Sequence, residues 1–240
     1  MNPRSPADRA LARLTWTEVP AHALVLVPVG SVEQHGPHLP LDVDTVIATA
    51  VAQGAADVLG DGTLVTPAVA FGASGEHQDF AGTVSAGTEA LDRYLTELGR
   101  SLGTWCDRIV FVNGHGGNVD ALRSSVGLLR REGRDASWTV CAHGDIHAGR
   151  GETSLMLHLD PARVRVDRMQ AGPSDALAQL LPAMRAGGVR AVSESGVIGD
   201  PRGAGADEGA AILDRLVGDA VRVIRSGAPA ADGRLEEASP

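Results

Sequence analysis

Apolar and polar positions follow two patterns that alternate along this chain. Short, nearly continuous apolar runs rich in β-branched residues predict four strands, at 23–30, 64–72, 108–114 and 137–144. Elsewhere apolar residues recur every three or four positions and predict helices at 44–60, 88–105, from about 115 to 132, 152–159 and 207–227. Strands that are apolar on both faces and alternate with helices are typical of a mainly parallel sheet covered by helices on both sides.

The organisation along the chain is that of one large domain. No internal repeat or interdomain linker interrupts the 240 residues, so we predict a single domain over 1–226. The remaining segment, 227–240, consists mainly of small and polar residues, and we expect it to be a flexible tail.

Composition and charge exclude several classes of protein. Hydrophobic residues make up 43% and charged residues 21%, as in globular proteins and unlike disordered or fibrous ones. A net charge of −9 without a local basic patch argues against a nucleic-acid partner. The chain has no lysine, which excludes Schiff-base chemistry and a P-loop. We find no signal peptide, no membrane-spanning run and no paired cysteine motif, and therefore expect a cytoplasmic protein without a membrane partner.

Histidines are concentrated at one kind of position. Six of the eight follow directly after predicted strands, namely His35, His38, His77, His115, His143 and His147. The loops that leave the carboxyl ends of parallel strands gather along one edge of the sheet, where ligands bind. The distribution therefore predicts a site at that edge.

The first candidate motif is PVGSVEQHGPHLPLDVDT, from residue 28. Glu33 and His35 are two residues apart, so an extended backbone points both side chains the same way. Prolines stiffen the loop that follows, and Asp44 begins the next helix. Taken alone, Asp44 would more often be a helix N-cap. Glu33 and His35, taken alone, would more often lie in a solvated loop. Two carboxylates and an imidazole within twelve residues instead favour a metal site.

Three further motifs add candidates. NGHGGN (113–118) fits neither a dinucleotide-binding fingerprint nor a P-loop, and it projects His115 from a tight strand-to-helix turn. HAGRGETS (147–154) supplies His147 and Glu152, although Glu152 could simply favour the helix dipole. The long loop FGASGEHQDFAGTVS (71–85) supplies Glu76 and His77, and loops of this length in compact domains are often functional.

Together these motifs resemble the creatininase (creatinine amidohydrolase) family. The resemblance rests on GSVEQHGPHLPLDVD, EHQDFAGT, NGHGGN, HAGRGETS and SGVIGDPRGA, in family order from residue 30 to about 210. Less specific segments, such as LARLTWTEVP and LLPAMRAGGVRAVS, are most similar to the branch of this family that is encoded with the mycofactocin system. The resemblance implies a three-layer α/β/α fold with a mainly parallel sheet, two divalent metal ions, hydrolysis of a C–N amide bond and a homo-oligomer, usually a hexamer.

The resemblance also implies roles for individual residues. Glu33, His35, Asp44 and His115 match metal ligands, with Asp44 bridging, and His147 matches a catalytic histidine. The family has a metal-binding glutamate where this chain has Gly117. We expect Glu152 to supply the missing carboxylate, because two divalent ions need its negative charge as well as those of Glu33 and Asp44.

The implied mechanism uses the metals to lower the pKa of water and His147 as the general acid for the amine leaving group. Glu76 and His77 are further catalytic candidates that would shape or close the pocket. Zinc, iron and manganese all suit this set of carboxylate and imidazole ligands, and the sequence does not choose among them.

Three hypotheses about activity stay open at this stage. The first is a peptidase that releases a C-terminal Val-Tyr-derived dipeptide from a modified precursor peptide, as the mycofactocin branch implies. The second is a small-molecule cyclic amidohydrolase, creatinine-type or a formamide deformylase. The third is a catalytically inactive metal-binding protein, against which the complete set of ligands and His147 argue.

Overall fold

The centre of the molecule is a four-stranded, fully parallel sheet. The structure is a computed structural model that describes residues 9–144 and 146–237. The strands are β1 (Leu24–Val29), β2 (Thr63–Val65), β3 (Arg108–Asn113) and β4 (Ala136–Val140), in the spatial order β2-β1-β3-β4. Leu24 of β1 is opposite both Thr63 and Arg108, so the carboxyl ends of β1 and β3 emerge together at one edge.

Within the described residues, six α-helices connect or flank these strands. They are α1 (Val43–Leu59), α2 (Thr88–Leu102), α3 (Val119–Arg131), α4 (Arg150–Leu159), α5 (Leu177–Gly187) and α6 (Ala206–Ser226). Gly60 ends α1 with a positive φ of 91°, a conformation that glycine adopts without strain.

Side-chain alternation along the strands divides the core into two layers of contacts. Leu26 and Val110 point to the face covered by α1, α4 and α6. Val27 and Phe111, one residue further along, point to the opposite face, where they pack with residues of α2 and α3. The period of two along each strand therefore explains why both faces are apolar, and the three-layer α/β/α prediction is confirmed.

Two elements differ from the sequence-based expectation. The second strand was expected over 64–72 but ends at Val65, because Pro67 lacks the N–H that a continuing ladder needs; Val69 then pairs with Val29 as a single bridge. Helix α5 was not predicted. It contains Pro182 and has no fully buried residue, so its sequence lacks the apolar stripe of a core helix.

The C-terminal segment is packed where a flexible tail was expected. Ala228–Pro229 and Leu235–Glu236 form a small antiparallel pair, β5 and β6. Leu235 is buried, and the indole N–H of Trp138 donates to the carbonyl of Asp232 at 3.0 Å. These contacts anchor the described part of the segment on β4. Residues 1–8 of the predicted domain and 238–240 of the predicted tail lie outside the described residues.

The helices carry no sign of a membrane span. In the part of the chain that the structure describes, no helix combines the length and the apolar character that crossing a bilayer requires.

Candidate metal centre and active site

The loop between β1 and α1 brings three predicted ligands together. Glu33 and His35 are fully buried, and the backbone N–H of Glu33 donates to the carbonyl of Leu41 at 2.9 Å, which closes the loop. Asp44 does not cap α1; it lies within the first turn, buried, and its carboxylate accepts a hydrogen bond from the Ser31 hydroxyl. Its Oδ1 is 3.3 Å from Nε2 of His35.

The turn after β3 supplies His115 from the other side of Asp44. Nδ1 of His115 is 3.3 Å from Asp44 Oδ2 and 3.2 Å from Glu33 Oε2. The turn fits closely against the start of α1, since a Cβ at Gly114 would be 2.5 Å from the carbonyl oxygen of Asp44. The two oxygens of Asp44 therefore face two different imidazoles, as a bridging carboxylate requires.

The loop before α4 adds Glu152 and His147. Glu152 is buried; its Oε1 is 3.8 Å from Nε2 of His35, and its Oε2 accepts the backbone N–H of Ala148. Ala148 has the positive φ of 53°, uncommon for a residue with a side chain, which allows this tight turn. The carboxylate of Glu152 thus points into the cluster, and its position at the start of α4 is more than an interaction with the helix dipole.

A second group of contacts surrounds Gln34. The Gln34 amide nitrogen is 2.8 Å from Nδ1 of His77 and 2.9 Å from Nε2 of His147. Nε2 of His147 is also 2.7 Å from the Gln34 carbonyl oxygen, so in the tautomer with the ring proton on Nε2 it donates there. In that tautomer Nδ1, 3.6 Å from Glu33 Oε1, is unprotonated. The ring of His147 stacks between those of His35 and His77, at centroid distances of 4.3 and 4.4 Å.

Burial and mutual charge set the protonation of the cluster. Burial raises the pKa of Glu33 to about 7. For His35, burial opposes the charge, but Asp44 and Glu152 outweigh it and raise the pKa to about 10. Burial similarly opposes charge on His115, yet Glu33 and Asp44 hold its pKa well above the ordinary value. Without a metal, protons on two imidazoles therefore balance the carboxylates, in the place where a cation would do so.

The donor atoms fit a divalent ion. Ligand atoms around a tetrahedral ion with bonds of about 2.0–2.2 Å lie roughly 3.3–3.6 Å apart, close to the separations around Asp44. Both oxygens of Glu33 and Nε2 of His35 are buried and make no hydrogen bond within the described ranges. Buried polar atoms of this kind need a partner. Among the described residues, three buried groups have ligand atoms within 4.8 Å of one another: Glu33, His35 and Asp44; His35, His147 and Glu152; Glu33, His77 and His147.

A cavity of about 730 Å³ opens above the cluster. Its floor includes Glu33, Asp44, His115, His147 and Glu152, so every predicted ligand except His35 borders it. Its wall is apolar where α5 contributes Leu177, Leu181 and Met184. A mostly apolar concave pocket with convergent polar groups is the usual form of a small-ligand site.

The structure also adds residues that the sequence did not single out for the site. Gln34 bridges His77 and His147, and its position inside the first motif was the available signal. His143, one of the six histidines after strands, is 3.3 Å from Glu152 Oε1 through Nε2. Arg185 of α5 lines the cavity, whereas Arg150 and Arg202 are paired with Glu208 and Asp200. No signal in the motifs pointed to Arg185.

The same architecture and residue pattern occur in known proteins. The family model described as creatininase, creatinine amidohydrolase, matches residues 12–224. The chain belongs to the creatininase family. It is 52% identical over 243 residues to the mycofactocin precursor peptide peptidase of Mycobacterium tuberculosis (strain CDC 1551 / Oshkosh), and the match covers 97% of each chain.

Solved creatininase structures share the fold. A creatininase variant of the Zn–Zn type superposes with a TM-score of 0.74 at 26% identity, over 92% of this chain and 98% of that one. A creatininase described with Mn gives a TM-score of 0.75 at 25% identity, over 90% and 97%. The resemblance inferred from the motifs is therefore confirmed, and the His and carboxylate cluster of this creatininase-family chain is a potential metal-binding site.

Proposed function

We propose that this protein is a metal-dependent amide hydrolase that releases the C-terminal Val-Tyr-derived dipeptide from the modified mycofactocin precursor peptide. The relative with this peptidase name aligns with the chain over 97% of its length, so the whole domain is comparable. The structural observation that carries the proposal is the set of buried Glu33 and His35 atoms that make no hydrogen bond, gathered around Asp44 beside a cavity.

Two divalent ions are our proposal for the cofactor, as zinc, iron or manganese. Asp44 would bridge them, with Glu33 and His115 on one side and His35 and Glu152 on the other, following the contacts of its two oxygens. When bound, such ions lower the pKa of water and polarise a carbonyl. The carboxylates of Glu33, Asp44 and Glu152 offset most of their charge in a buried setting.

His147 is proposed as the group that delivers a proton to the leaving amine. Burial, together with His35 and His77, holds its pKa well below the ordinary value, so it begins neutral. In the tautomer whose Nε2 donates to the Gln34 carbonyl, Nδ1 is the atom free to accept a proton and pass it on. Gln34 and the ring of His77 contact the His147 ring and orient it. Burial lowers the pKa of His77 to about 3, so His77 remains a neutral, packing member of the pocket.

The cavity wall suits an uncharged, apolar end of a substrate. Leu177, Leu181 and Met184 form a continuous apolar side, consistent with a C-terminal unit whose tyrosine has lost its carboxylate. A carboxypeptidase for ordinary peptides would need a cation to bind the terminal carboxylate. Arg185 is the cavity residue able to do so, and it lies exposed on α5 with no ion pair inside the described part of the chain.

The test is a comparison of three substrates with the metal-loaded protein. We expect cleavage of the decarboxylated peptide, much slower cleavage of the unmodified peptide and almost no turnover of creatinine. Comparable rates on creatinine and the peptide would favour the small-molecule amidohydrolase instead. Equal rates on both peptides would indicate that Arg185 binds the terminal carboxylate of the unmodified peptide. Arg185→Ala should then abolish cleavage of the unmodified peptide.

Cellular setting and assembly form a further part of the proposal. We propose a cytoplasmic homo-oligomer, with the hexamer of the family resemblance as the expected form. Trp16, 86% exposed, is an apolar side chain that an interface would cover. Light scattering of the purified protein measures the assembly directly, and a monomer would contradict this part.

A further inference from the structure

The two ring nitrogens of His115 face different partners. Nδ1 faces the carboxylates of Glu33 and Asp44, whereas Nε2 faces away from them. On that far side, Nε2 is 3.2 Å from the carbonyl oxygen of Ala73 and 3.5 Å from Oε1 of Glu76. If Nδ1 binds an ion, Nε2 must carry the ring proton; the Ala73 carbonyl then accepts it, and the Glu76 carboxylate lies beside that hydrogen bond.

The loop that carries Glu76 is held firmly against this turn. The side chain of Asn118 accepts the backbone N–H of Ala73 at 2.8 Å and donates to the carbonyl of Gly30 at 3.0 Å. These two bonds connect the loop to the ends of β1 and β3. The fold therefore holds Ala73, three residues before Glu76, beside the His115 turn.

The space next to His115 is already full. A Cβ at Gly117 would be 2.2 Å from the Ala73 oxygen, 2.6 Å from Nε2 of His115 and 2.9 Å from Oε1 of Glu76. The Ala73 carbonyl and the Glu76 carboxylate thus occupy the place that a side chain at 117 would take. A glycine at this position is the condition for their contact with His115.

From this geometry we propose that Glu76 is a positioning residue for His115. Its carboxylate, with the Ala73 carbonyl, holds the Nε2 proton and so keeps Nδ1 directed at Glu33 and Asp44. An acceptor of this kind fixes the tautomer of a metal-binding imidazole and increases its basicity. The inference rests on the proposed function, in which His115 binds a divalent ion.

A direct ligand role for Glu76 is less consistent with the contacts. The carboxylate of Glu76 contacts His115 at Nε2, whereas Glu33 and Asp44 contact it at Nδ1. An ion on Nδ1 is also on the opposite edge of the His115 ring. Glu76 therefore acts on the metal through the imidazole.

The experiment measures zinc affinity by competition with a chelating dye. Glu76→Ala removes the acceptor, Glu76→Gln keeps an uncharged acceptor of the same shape, and Asp79→Asn is the control, an exposed carboxylate on the same loop. We expect Glu76→Ala to weaken the binding of one zinc ion by about 10–100-fold, the effect typical of losing the hydrogen-bond partner of a metal-binding histidine. Glu76→Gln should recover part of that loss, and Asp79→Asn should bind as the wild type does.

Two results would overturn the inference. Wild-type affinity in Glu76→Ala would show that His115 needs no such partner. Complete loss of one ion at saturating zinc, without recovery in Glu76→Gln, would make Glu76 a ligand. Thermal unfolding of the metal-free variants checks that each is folded. If the wild-type protein itself binds no zinc, manganese or iron, the proposed function fails, and that outcome is separate from the two above.

Discussion

Gly117→Ala tests the crowding around His115 with a single methyl group. The new Cβ would be 2.2 Å from the Ala73 oxygen and 2.6 Å from Nε2 of His115. A normal contact is about 3.5 Å, so the loop must retreat by roughly 1 Å. Inserting a methyl group into a packed site costs about 1–3 kcal/mol of the free energy of unfolding. For a chain of this size we expect the Tm to fall by roughly 2–12 °C.

The neighbouring glycine provides the matched control. A Cβ at Gly116 would have no heavy atom within 4 Å. Gly116→Ala should therefore leave the free energy of unfolding within about 1 kcal/mol of the wild type. Thermal unfolding followed by circular dichroism, without metal, compares the two variants. If Gly117→Ala is as stable as Gly116→Ala and also binds zinc as tightly, the crowding argument is refuted.

Two further predictions concern the other side of the cluster. Glu152→Ala should empty or weaken one of two metal sites in metal analysis, since a buried carboxylate beside His35 is removed. The control Glu208→Ala, at the start of α6 against α4, should retain both ions. Full occupancy in Glu152→Ala would exclude Glu152 as a ligand. His147→Ala should retain the ions and the fold but lose turnover by roughly 10²–10⁴-fold in a peptide cleavage assay. Loss of an ion with an unchanged rate per remaining ion would instead make His147 a ligand.

The parts of the fold that the sequence predicted are those that local patterns determine. The apolar strands β1, β3 and β4 and the amphipathic helices α2 and α6 lie close to their predicted positions. Helix α5 was missed because Leu177, Leu181 and Met184 face a cavity and are not packed in the core, so no strong stripe marks the helix. The packing of segment 227–237 was not predicted, because its hydrogen bonds with the backbone N–H and the indole N–H of Trp138 leave no sequence pattern.

The candidate site likewise has parts that local sequence patterns predict and parts that depend on contacts between distant residues. Its carboxylates and imidazoles could be located because they stand in short motifs at the ends of strands. The contacts of Gln34 with His77 and His147 join residues 43 and 113 positions apart, which no local pattern reveals. The same holds for the contact of Glu76 with His115, which joins two loops that Asn118 connects.

The most direct test of the account is a metal titration of peptide cleavage. Protein stripped of metal by a chelator is given increasing zinc, manganese or iron, and release of the C-terminal dipeptide from the decarboxylated precursor peptide is followed by mass spectrometry. The cluster around Asp44 predicts no release without metal and a rate that saturates at about two ions per chain. Full cleavage by the stripped protein, or no cleavage at any metal content, would contradict it.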